Sequence, residues 1–577
     1  MMAGARMAAG RRWVLREADP RRVEALSREM GIPAPVARVL VNRGVEEVAA
    51  AERFLSPTLR DLHPPEGLAD MDRATSRILE ALQANEPILV YGDYDADGLT
   101  AVALLMRFLK GVGARVRHVI PHRARDGYGV HLPLLQQARR EGIGLAITVD
   151  CGISDGEAIA HAREMGMEVI VTDHHEVPSD LPPAHAVVNP KRSDNRYPFS
   201  DLAGVGVAFL LIWAMARRLR ERGFWRRGEE PSLKEYLDLV ALGTVADQSP
   251  LVGENRTLVK HGLHQLALHP SPGVTALLQT CGSWGKPLSV GTVSFQLAPR
   301  LNAPGRIEEA LPALELLLAE EPGEAMELAG LLDGMNRRRQ QIEERIFREA
   351  GLMAEQEIRE GRRALVLSKE GWHPGVVGIV ASRLTDRYGL PAVLVAVEGG
   401  VGKGSARAPE GFHLMEGLRA CEGLLERYGG HRLAAGLRID PGVIQRFRET
   451  FCQQAQSILG DRSVGGVVRI DDRLTAAQVN EELVRHLSRL GPHGVGNPEP
   501  VFQMDRLEIA QCRRVGQDHV KLRVRQGDLG FDAIGFGMGS QLPETVQGWA
   551  HLACVPQLNE WQGRTSIQLK LKDVKLL

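Results

Sequence analysis

The chain has 577 residues, 44% of them hydrophobic and 25% charged, an ordinary balance for a globular protein long enough to hold several domains. A net charge of −1 excludes a general positive field that would draw in nucleic acid, so any basic surface must be local. Six cysteines lie far apart with no CxxC pair, which argues against a cysteine zinc site and for a reducing, cytoplasmic compartment.

The N-terminal stretch "MMAGARMAAGRRWVLREADP" is basic but lacks the sustained apolar core of a secretory signal. Residues 1–75 read as a helical and irregular segment. From about residue 86 the texture changes. Short β-rich runs, "PILVY" (87–91), "RVRHVI" (115–120), "LAITV" (145–149), "EVIVT" (168–172) and "AHAVV" (184–188), alternate with helix-like segments, so residues 76–265 are expected to form an α/β domain on a mostly parallel sheet. The longest uncharged run, "LAGVGVAFLLIWAMA" (202–216), is short for a bilayer and reads as a buried helix with Asp201 as its N-cap, so no membrane contact is expected. Residues 266–360 read as a helical region. It ends in a long amphipathic helix after Pro322 that would suit a connector between domains. Strand-like runs resume at "RRALVLSKEGW" and "LPAVLVAVEGG", giving a second, smaller α/β domain over 361–460. Alternating β-rich texture over 466–577 suggests a terminal β-barrel.

The chemistry lies where the strands end. Asp93, closely followed by Asp95 and Asp97, comes after "PILVY". Asp150 follows "LAITV". Asp173 follows "EVIVT" and is itself followed by His174 and His175. In an open parallel sheet ligands bind outside the carboxyl ends of the strands, so three strands deliver acids and imidazoles to one rim. That many carboxylates cannot share a rim in ionised form unless cations neutralise them. Oxygen-rich ligation with one or two imidazoles suits Mn2+ or Mg2+ better than zinc. Two such ions about 3.5–4 Å apart would activate water and stabilise a leaving oxygen in phosphoryl chemistry. Taken singly, an aspartate after a strand is a turn former or helix N-cap, and for Asp97 that reading stands level with ligation. It is the coincidence of three strand-end acids with a His pair that favours a metal site.

"DYDADG" (93–98), "VDCG" (149–152), "DHH" (173–175) and "GTVAD" (243–247) resemble the four motifs of the DHH phosphoesterase superfamily, in order and spacing. "FQLAPRLNAPGR" (295–306), "GGHRLAAG" (429–436) and "GPHGVGNPEPVF" (491–502) are similar to the RecJ family of bacterial single-strand-specific DNA exonucleases. The resemblance covers nearly all of the chain after about residue 75. It implies a DHH domain joined by a long helix to a DHH-associated domain, then an OB-like barrel. It also implies metal ligation by Asp93, Asp95, Asp97, Asp150, Asp173, His174 and Asp247, with Asp150 bridging two ions and His175 facing the substrate phosphate. One departure stands out: several relatives carry a histidine ligand where this chain has Tyr91, and the resemblance implies that Asp93 compensates.

Groups that could hold a strand are spread over several loops. "PHRARDGYGV" offers Arg123, Arg125 and a stacking Tyr128, with an ordinary basic loop as the rival reading. "APRLNAPGR" places Arg300 and Arg306 around Asn302. Its glycine and prolines argue against a continuous helix, and the family match favours contact with a terminal 5′ phosphate over surface ion pairs. His373 in "GWHPG" precedes a helix, and Lys403, Arg407 and His431 lie in glycine-rich runs that allow a phosphate backbone close. Trp561 is either a stacking residue or core. The resemblance implies a metal-dependent exonuclease that degrades single-stranded DNA from the 5′ end to mononucleotides, in DNA repair and recombination. A monomer working with a helicase and a single-strand-binding protein is the expected setting. The alternatives are a DHH phosphodiesterase of short oligonucleotides or cyclic dinucleotides, which would not need the barrel, and a non-catalytic replication scaffold, which would have lost its acids.

Overall fold

Apolar runs of five residues bounded by loops can only be satisfied by burial on both faces, and such strands pair in parallel beneath helices. The computed structural model, which describes residues 11–226, 228–460, 466–516, 518–543, 546–561 and 564–577, shows this arrangement. The chain divides into two compact units, Met1–Asp61 with Ser463–Leu577, and Leu62–Arg462.

The first unit opens with strand β1 (Arg12–Leu15) and helices α1 (Pro20–Met30), α2 (Ala34–Asn42) and α3 (Val48–Leu55). The second begins with α4 (Met71–Gln83), then β2 (Ile88–Gly92), α5 (Ala96–Gly111), β3 (Val116–Val119), α6 (Leu132–Arg140), β4 (Leu145–Val149), α7 (Gly156–Glu164), β5 (Glu168–Thr172) and β6 (Ala186–Val188). These strands form an all-parallel sheet in the order β3-β2-β4-β5-β6. The chain moves outward from β2 to β3 and then returns to β4 on the other side. The topological switch point therefore lies between the carboxyl ends of β2 and β4, where such folds bind ligands.

Helices α8 (Gly204–Glu221), α9 (Leu237–Ala246), α10 (Gly253–Leu268), α11 (Pro272–Thr280), the short α12 (Val290–Thr292), α13 (Ala298–Ile307), α14 (Leu311–Leu318) and α15 (Pro322–Arg359) follow. Two readings of the sequence are corrected here. Asp201 does not cap α8. Its N-cap position is Ala203, and the first N–H groups are taken by a carboxylate from α5. "APRLNAPGR" is a continuous helix despite Pro304 within it, entered through a π-helical turn, Val293–Leu297. Packing overrides propensity: α13 lies against α15, and Gly305 lets it approach the Tyr94 carbonyl so closely that a Cβ would lie 3.0 Å away. Helix α15 has 38 residues. Its first half packs on α11, α13 and α14, and Ile346, Ala350 and Ala354 in its second half join the core of the next sheet.

That sheet comprises β7 (Leu365–Glu370), β8 (Ala392–Glu398), β9 (Val401–Arg407), β10 (Arg427–Gly430) and β11 (Ala434–Ile439), in the order β10-β11-β9-β8-β7. It carries α16 (Val377–Tyr388), α17 (Leu414–Arg419) and α18 (Ile444–Leu459). Returning to the first unit, β12 (Val467–Ile470), β13 (Asp472–Arg473), α19 (Glu481–Ser488), β14 (Phe502–Val515), β15 (His519–Gln526), β16 (Leu529–Gly535), β17 (Gly548–Trp561) and β18 (Arg564–Leu576) complete the chain. The order β14-β15-β16-β18-β17, with β17 pairing back onto β14, closes a five-stranded barrel. Within the segment expected over residues 1–75, residues up to Asp61 fall with the barrel and share a core with it: Val36, Leu40 and Leu55 pack in the same cluster as Leu483, Phe502 and Leu552. Among the described residues no helix is long and apolar enough to cross a membrane.

Candidate metal centre

The site is assembled from four chain segments at the switch point. After β2, Asp95 caps α5, accepting hydrogen bonds from the N–H groups of Asp97 (3.0 Å) and Gly98 (3.2 Å). Asp97, in the first turn of α5, is buried, and its two oxygens accept from Gly204 N–H (2.7 Å) and Val205 N–H (2.9 Å) at the positive end of α8. After β4, Asp150 adopts a left-handed backbone, φ 60°, which costs free energy in a residue other than glycine and turns its carboxylate across the rim. After β5, Asp173 accepts from the N–H groups of His174 (2.7 Å), His175 (3.1 Å) and Ile153 (3.0 Å), and lies 2.8 Å from His175 Nδ1. The fourth segment is the end of α9, where Asp247 accepts from Ser249 Oγ (2.5 Å).

Potential ligand atoms converge in three overlapping sets, each within 4.8 Å: Asp93 with Asp95 and Asp150; Asp97 with His174 and Asp247; and Asp150 with His174 and His175. Burial pushes Asp93, Asp97 and Asp150 well above the usual carboxylate range, and neighbouring carboxylates push them further: Asp95 on Asp93, Asp247 on Asp97, and Asp97 on Asp150. Burial holds His174 below its ordinary value, so its imidazole is neutral and able to ligate. His174 Nε2 and Asp150 Oδ1 are 3.1 Å apart, yet both, like Asp93 Oδ1, are buried without a hydrogen-bond partner. Three orphaned buried polar atoms in a nest of carboxylates are what a divalent-cation site presents before its cations are added, and oxygen donors with one imidazole suit Mn2+ or Mg2+.

One expected ligand, Asp173, stands apart from these sets, and Tyr91, at the position where relatives carry histidine, makes other contacts. Asp173 joins none of the three sets among the described residues. Its carboxylate is satisfied by N–H donors. Burial alone would raise it, but the bond and charge of His175, with Ile153 N–H, hold it below the usual range. It is bonded to His175 Nδ1 and to the backbone N–H groups on either side of the rim. The imidazole of His175, which burial would depress, is held at about 9 by Asp173, Asp247 and Asp93. Tyr91 lies outside the site, its hydroxyl donating to Gly129 O (3.0 Å) and accepting from His131 N–H (3.2 Å), so it fixes the loop before α6.

Of the expected phosphate contacts, the structure gathers Arg123, Arg306 and Arg407 beside the acids. Burial lowers Arg306 to about 10, with Arg123 and Arg339 adding repulsion that Asp95 opposes, and burial and Arg123 lower Arg407. The Arg123 guanidinium lies over the Tyr94 ring, 5.0 Å from its centroid. Among the described residues none of the three has an ion-pair partner, and each adds repulsion to another. Tyr128, 47% exposed, places its hydroxyl 3.0 Å from His175 Nδ1 and its ring edge-on to that imidazole.

The others are engaged locally, although Asn302 and His431 also come close to the acid rim, at Ala96 and Glu176. Arg125 pairs with Asp126. Arg300 is taken up by Asp333 (2.8 Å) and the Gln296 carbonyl (2.7 Å). Asn302 Oδ1 accepts from Ala96 N–H (2.9 Å), tying α13 to the start of α5. His373 Nδ1 accepts from Gly375 N–H (3.1 Å). Lys403 lines a separate cavity of about 290 Å³ with Glu398 and Arg438, and His431 is exposed in the turn from β10 to β11. The Trp561 side chain lies outside the described residues.

Sequence reasoning missed the residues that make room for the acids. A Cβ on Gly243 would lie 2.3 Å from Thr100 Oγ1 and 2.7 Å from Asp97 Oδ1, and one on Gly204 would lie 2.6 Å from Asp150 Oδ1. It also missed Asn189, fully buried, whose Nδ2 donates to the His175 carbonyl (3.0 Å). The only signal was small residues in "LAGVG" and "ALGTVAD", with nothing to say which acids they face.

A parallel sheet with carboxylates and imidazoles at its switch point, flanked by an arginine cluster, defines a metal-dependent phosphoesterase of the DHH type. Residues 87–244 match the DHH family, N-terminal domain; residues 361–457 match the DHHA1 domain and residues 470–573 the RecJ OB domain. The chain is 37% identical over 573 residues to the single-stranded-DNA-specific exonuclease RecJ of Bacillus subtilis, covering 98% of this chain and 71% of that protein. It is 35% identical over 574 residues to RecJ of Salmonella typhimurium, covering 97% and 98%. The crystal structure of RecJ in complex with Mn2+ from Thermus thermophilus superposes with a TM-score of 0.84 at 33% identity, over 98% of this chain and 79% of that one. The Mg2+ complex of the same protein gives 0.78 at 31% identity, over 98% and 78%. This chain belongs to the RecJ family.

Proposed function

We propose that this chain is a divalent-metal-dependent exonuclease that hydrolyses single-stranded DNA from its 5′ end to mononucleotides. The observation that carries the reading is the unpartnered pair of Asp150 Oδ1 and His174 Nε2 between two further groups of acids. It is supported by relatives named as single-stranded-DNA-specific exonucleases and by related structures holding Mn2+ or Mg2+. Asp93, Asp95 and Asp150 would hold one ion, and Asp97, His174 and Asp247, with Asp150 between the sets, the other. Such ions, when bound, lower the pKa of water and neutralise charge on the phosphate.

The remaining roles fall to this chain's own groups. His175, kept cationic by Asp173, faces the phosphate and stabilises the charge that develops there. Arg306, Arg407 and Arg123 receive the 5′-terminal phosphate and so fix which linkage lies over the acids. The barrel of residues 466–577 grips the strand further along, which a hydrolase of dinucleotides would not require. The enzyme acts as a cytoplasmic monomer in repair and recombination, on strands opened by a helicase and coated by a single-strand-binding protein.

Digestion of 5′- and 3′-labelled single strands and duplex with Mn2+, Mg2+ or chelator tests the reading. Label should leave the 5′ end first, as mononucleotide, from single strands only, and not at all in chelator. Release from the 3′ end first would overturn the polarity, and no release with either metal would overturn the activity.

A further inference from the structure

Phe295 is 81% exposed, although it sits in well-packed helical structure rather than on a loop. Three neighbours in the π-helical turn Val293–Leu297 are anchored: Val293 and Leu297 are buried, and Gln296 Oε1 accepts from Ser283 Oγ at 2.5 Å. A π turn inserts an extra residue into the helical register and is often found at functional sites. Here the anchored positions leave the ring pointing outward. Gly291, one turn earlier, keeps the flank of the ring bare, since a Cβ there would already touch Phe295 Cδ2 at 3.9 Å.

The turn runs without a break into α13, which carries Asn302, bonded to the start of α5, and Arg306 in the arginine cluster. Two helical turns, about 10 Å, separate Phe295 from Asn302, so the ring has a fixed position relative to the acids. It lies between Ser294 and Gln296, and the residue that anchors Gln296, Ser283, is followed by a second exposed aromatic, Trp284, 47% exposed. A flat aromatic face held on a rigid element that also carries Arg306 suits a nucleobase, whose faces are sequence-independent and whose backbone is anionic.

We propose that Phe295 is a stacking platform for one base of the single strand whose terminal linkage lies at the metal centre, and so a determinant of strand binding rather than of hydrolysis. This rests on the exonuclease reading above.

The test pairs Phe295→Ala and Phe295→Trp with substrates altered at one base. Binding of a 5′-phosphorylated single strand in chelator, which prevents turnover, should weaken about 5- to 150-fold in Phe295→Ala, as stacking of about 1–3 kcal/mol per base requires. It should be retained in Phe295→Trp. Hydrolysis of a 5′-phosphorylated dinucleotide should match wild type in both. Strands carrying an abasic site at successive positions supply the deciding readout. At one position the abasic strand should bind wild type as weakly as the intact strand binds Phe295→Ala, with no further loss in combination. Equal binding of intact strands by wild type and Phe295→Ala would overturn the proposal, as would a loss that no abasic position reproduces or one shared by the dinucleotide. If wild type hydrolyses neither dinucleotide nor strand, it is the exonuclease reading that falls.

Discussion

At the scale of single residues, Asp150 is, among the described residues, the one carboxylate shared between ligand sets, and its backbone is held in an unfavourable conformation. Replacing it by alanine should lower kcat at least ~10³-fold while strand binding persists, because two-ion sites supply most of the acceleration in phosphoryl chemistry. Calorimetric titration should show Mn2+ binding weakened for both ions. Near-normal turnover in the purified variant would exclude a shared ligand. Gly243→Ala probes the room left for Asp97. The added methyl cannot fit beside Thr100 and Asp97 without moving one of them. Displacing a carboxylate that ligates and caps should weaken metal affinity about 10- to 100-fold, with the melting temperature only modestly lowered. Unchanged Mn2+ affinity would show that the pocket relaxes. These residues also mark what was legible. Asp93, Asp95, Asp150 and His174 could be read because an apolar run followed by an acid announces a strand end at a known rim. The contacts of Asp173 could not, because its partner Ile153 N–H and the glycines that clear space are brought together only by the tertiary fold.

At the scale of elements, α13 divides two arginines that the sequence made equivalent. Arg300 faces α15 and is consumed by Asp333, whereas Arg306, about two turns on, faces the acids and lacks an ion-pair partner among the described residues. Arg300→Ala should therefore lower the melting temperature and impair strands with 5′-phosphate and 5′-hydroxyl ends alike. Arg306→Ala should selectively impair the phosphorylated ends, about 10- to 150-fold for a lost charge-assisted contact of about 1.5–3 kcal/mol. Comparing kcat/KM on the two ends for each variant checks this, and identical ratios would remove Arg306 from the terminal phosphate. The long connecting helix was legible from its spacing, since 38 residues of apolar periodicity leave little choice. The helicity of "APRLNAPGR" was not, because proline and glycine argue against it locally and only contact with α5 and α15 holds it.

At the scale of the molecule, the barrel and the first 61 residues stand or fall together. Removing residues 466–577 alone would strip Val36, Leu40 and Leu55 of their partners, so that truncation should be poorly soluble. Removing both segments should leave Leu62–Arg462 folded. It should hydrolyse short strands with a raised KM on long ones and a shallower salt dependence. A soluble, cooperatively melting single truncation would contradict the shared core. The same unit should be sensitive to acid. Glu499 reaches Lys570 and Lys572 on β18, and although its burial alone would raise it, those ammonium groups hold it at about 2. A carboxylate depressed from about 4.3 contributes its full stability above that pH and loses it as the pH falls toward 2. With the pair partly exposed, about 1–2 kcal/mol is at stake. Urea midpoints measured between pH 5 and 3 should fall more steeply for wild type than for Glu499→Gln, and parallel curves would show that the clamp contributes nothing.

The pairing of β1 with β12 also sets an order of events during synthesis. The register joins Arg12 to Val467, so some 450 residues must leave the ribosome between one strand and its neighbour. Helices α1 to α3 emerge first with their apolar faces uncovered, and the phosphoesterase unit can be complete while they still wait for the barrel strands. A nascent chain stalled near residue 500, with the second unit clear of the exit tunnel and the barrel strands not yet emerged, should therefore bind substrate-length DNA at its finished centre while its own beginning still needs a chaperone.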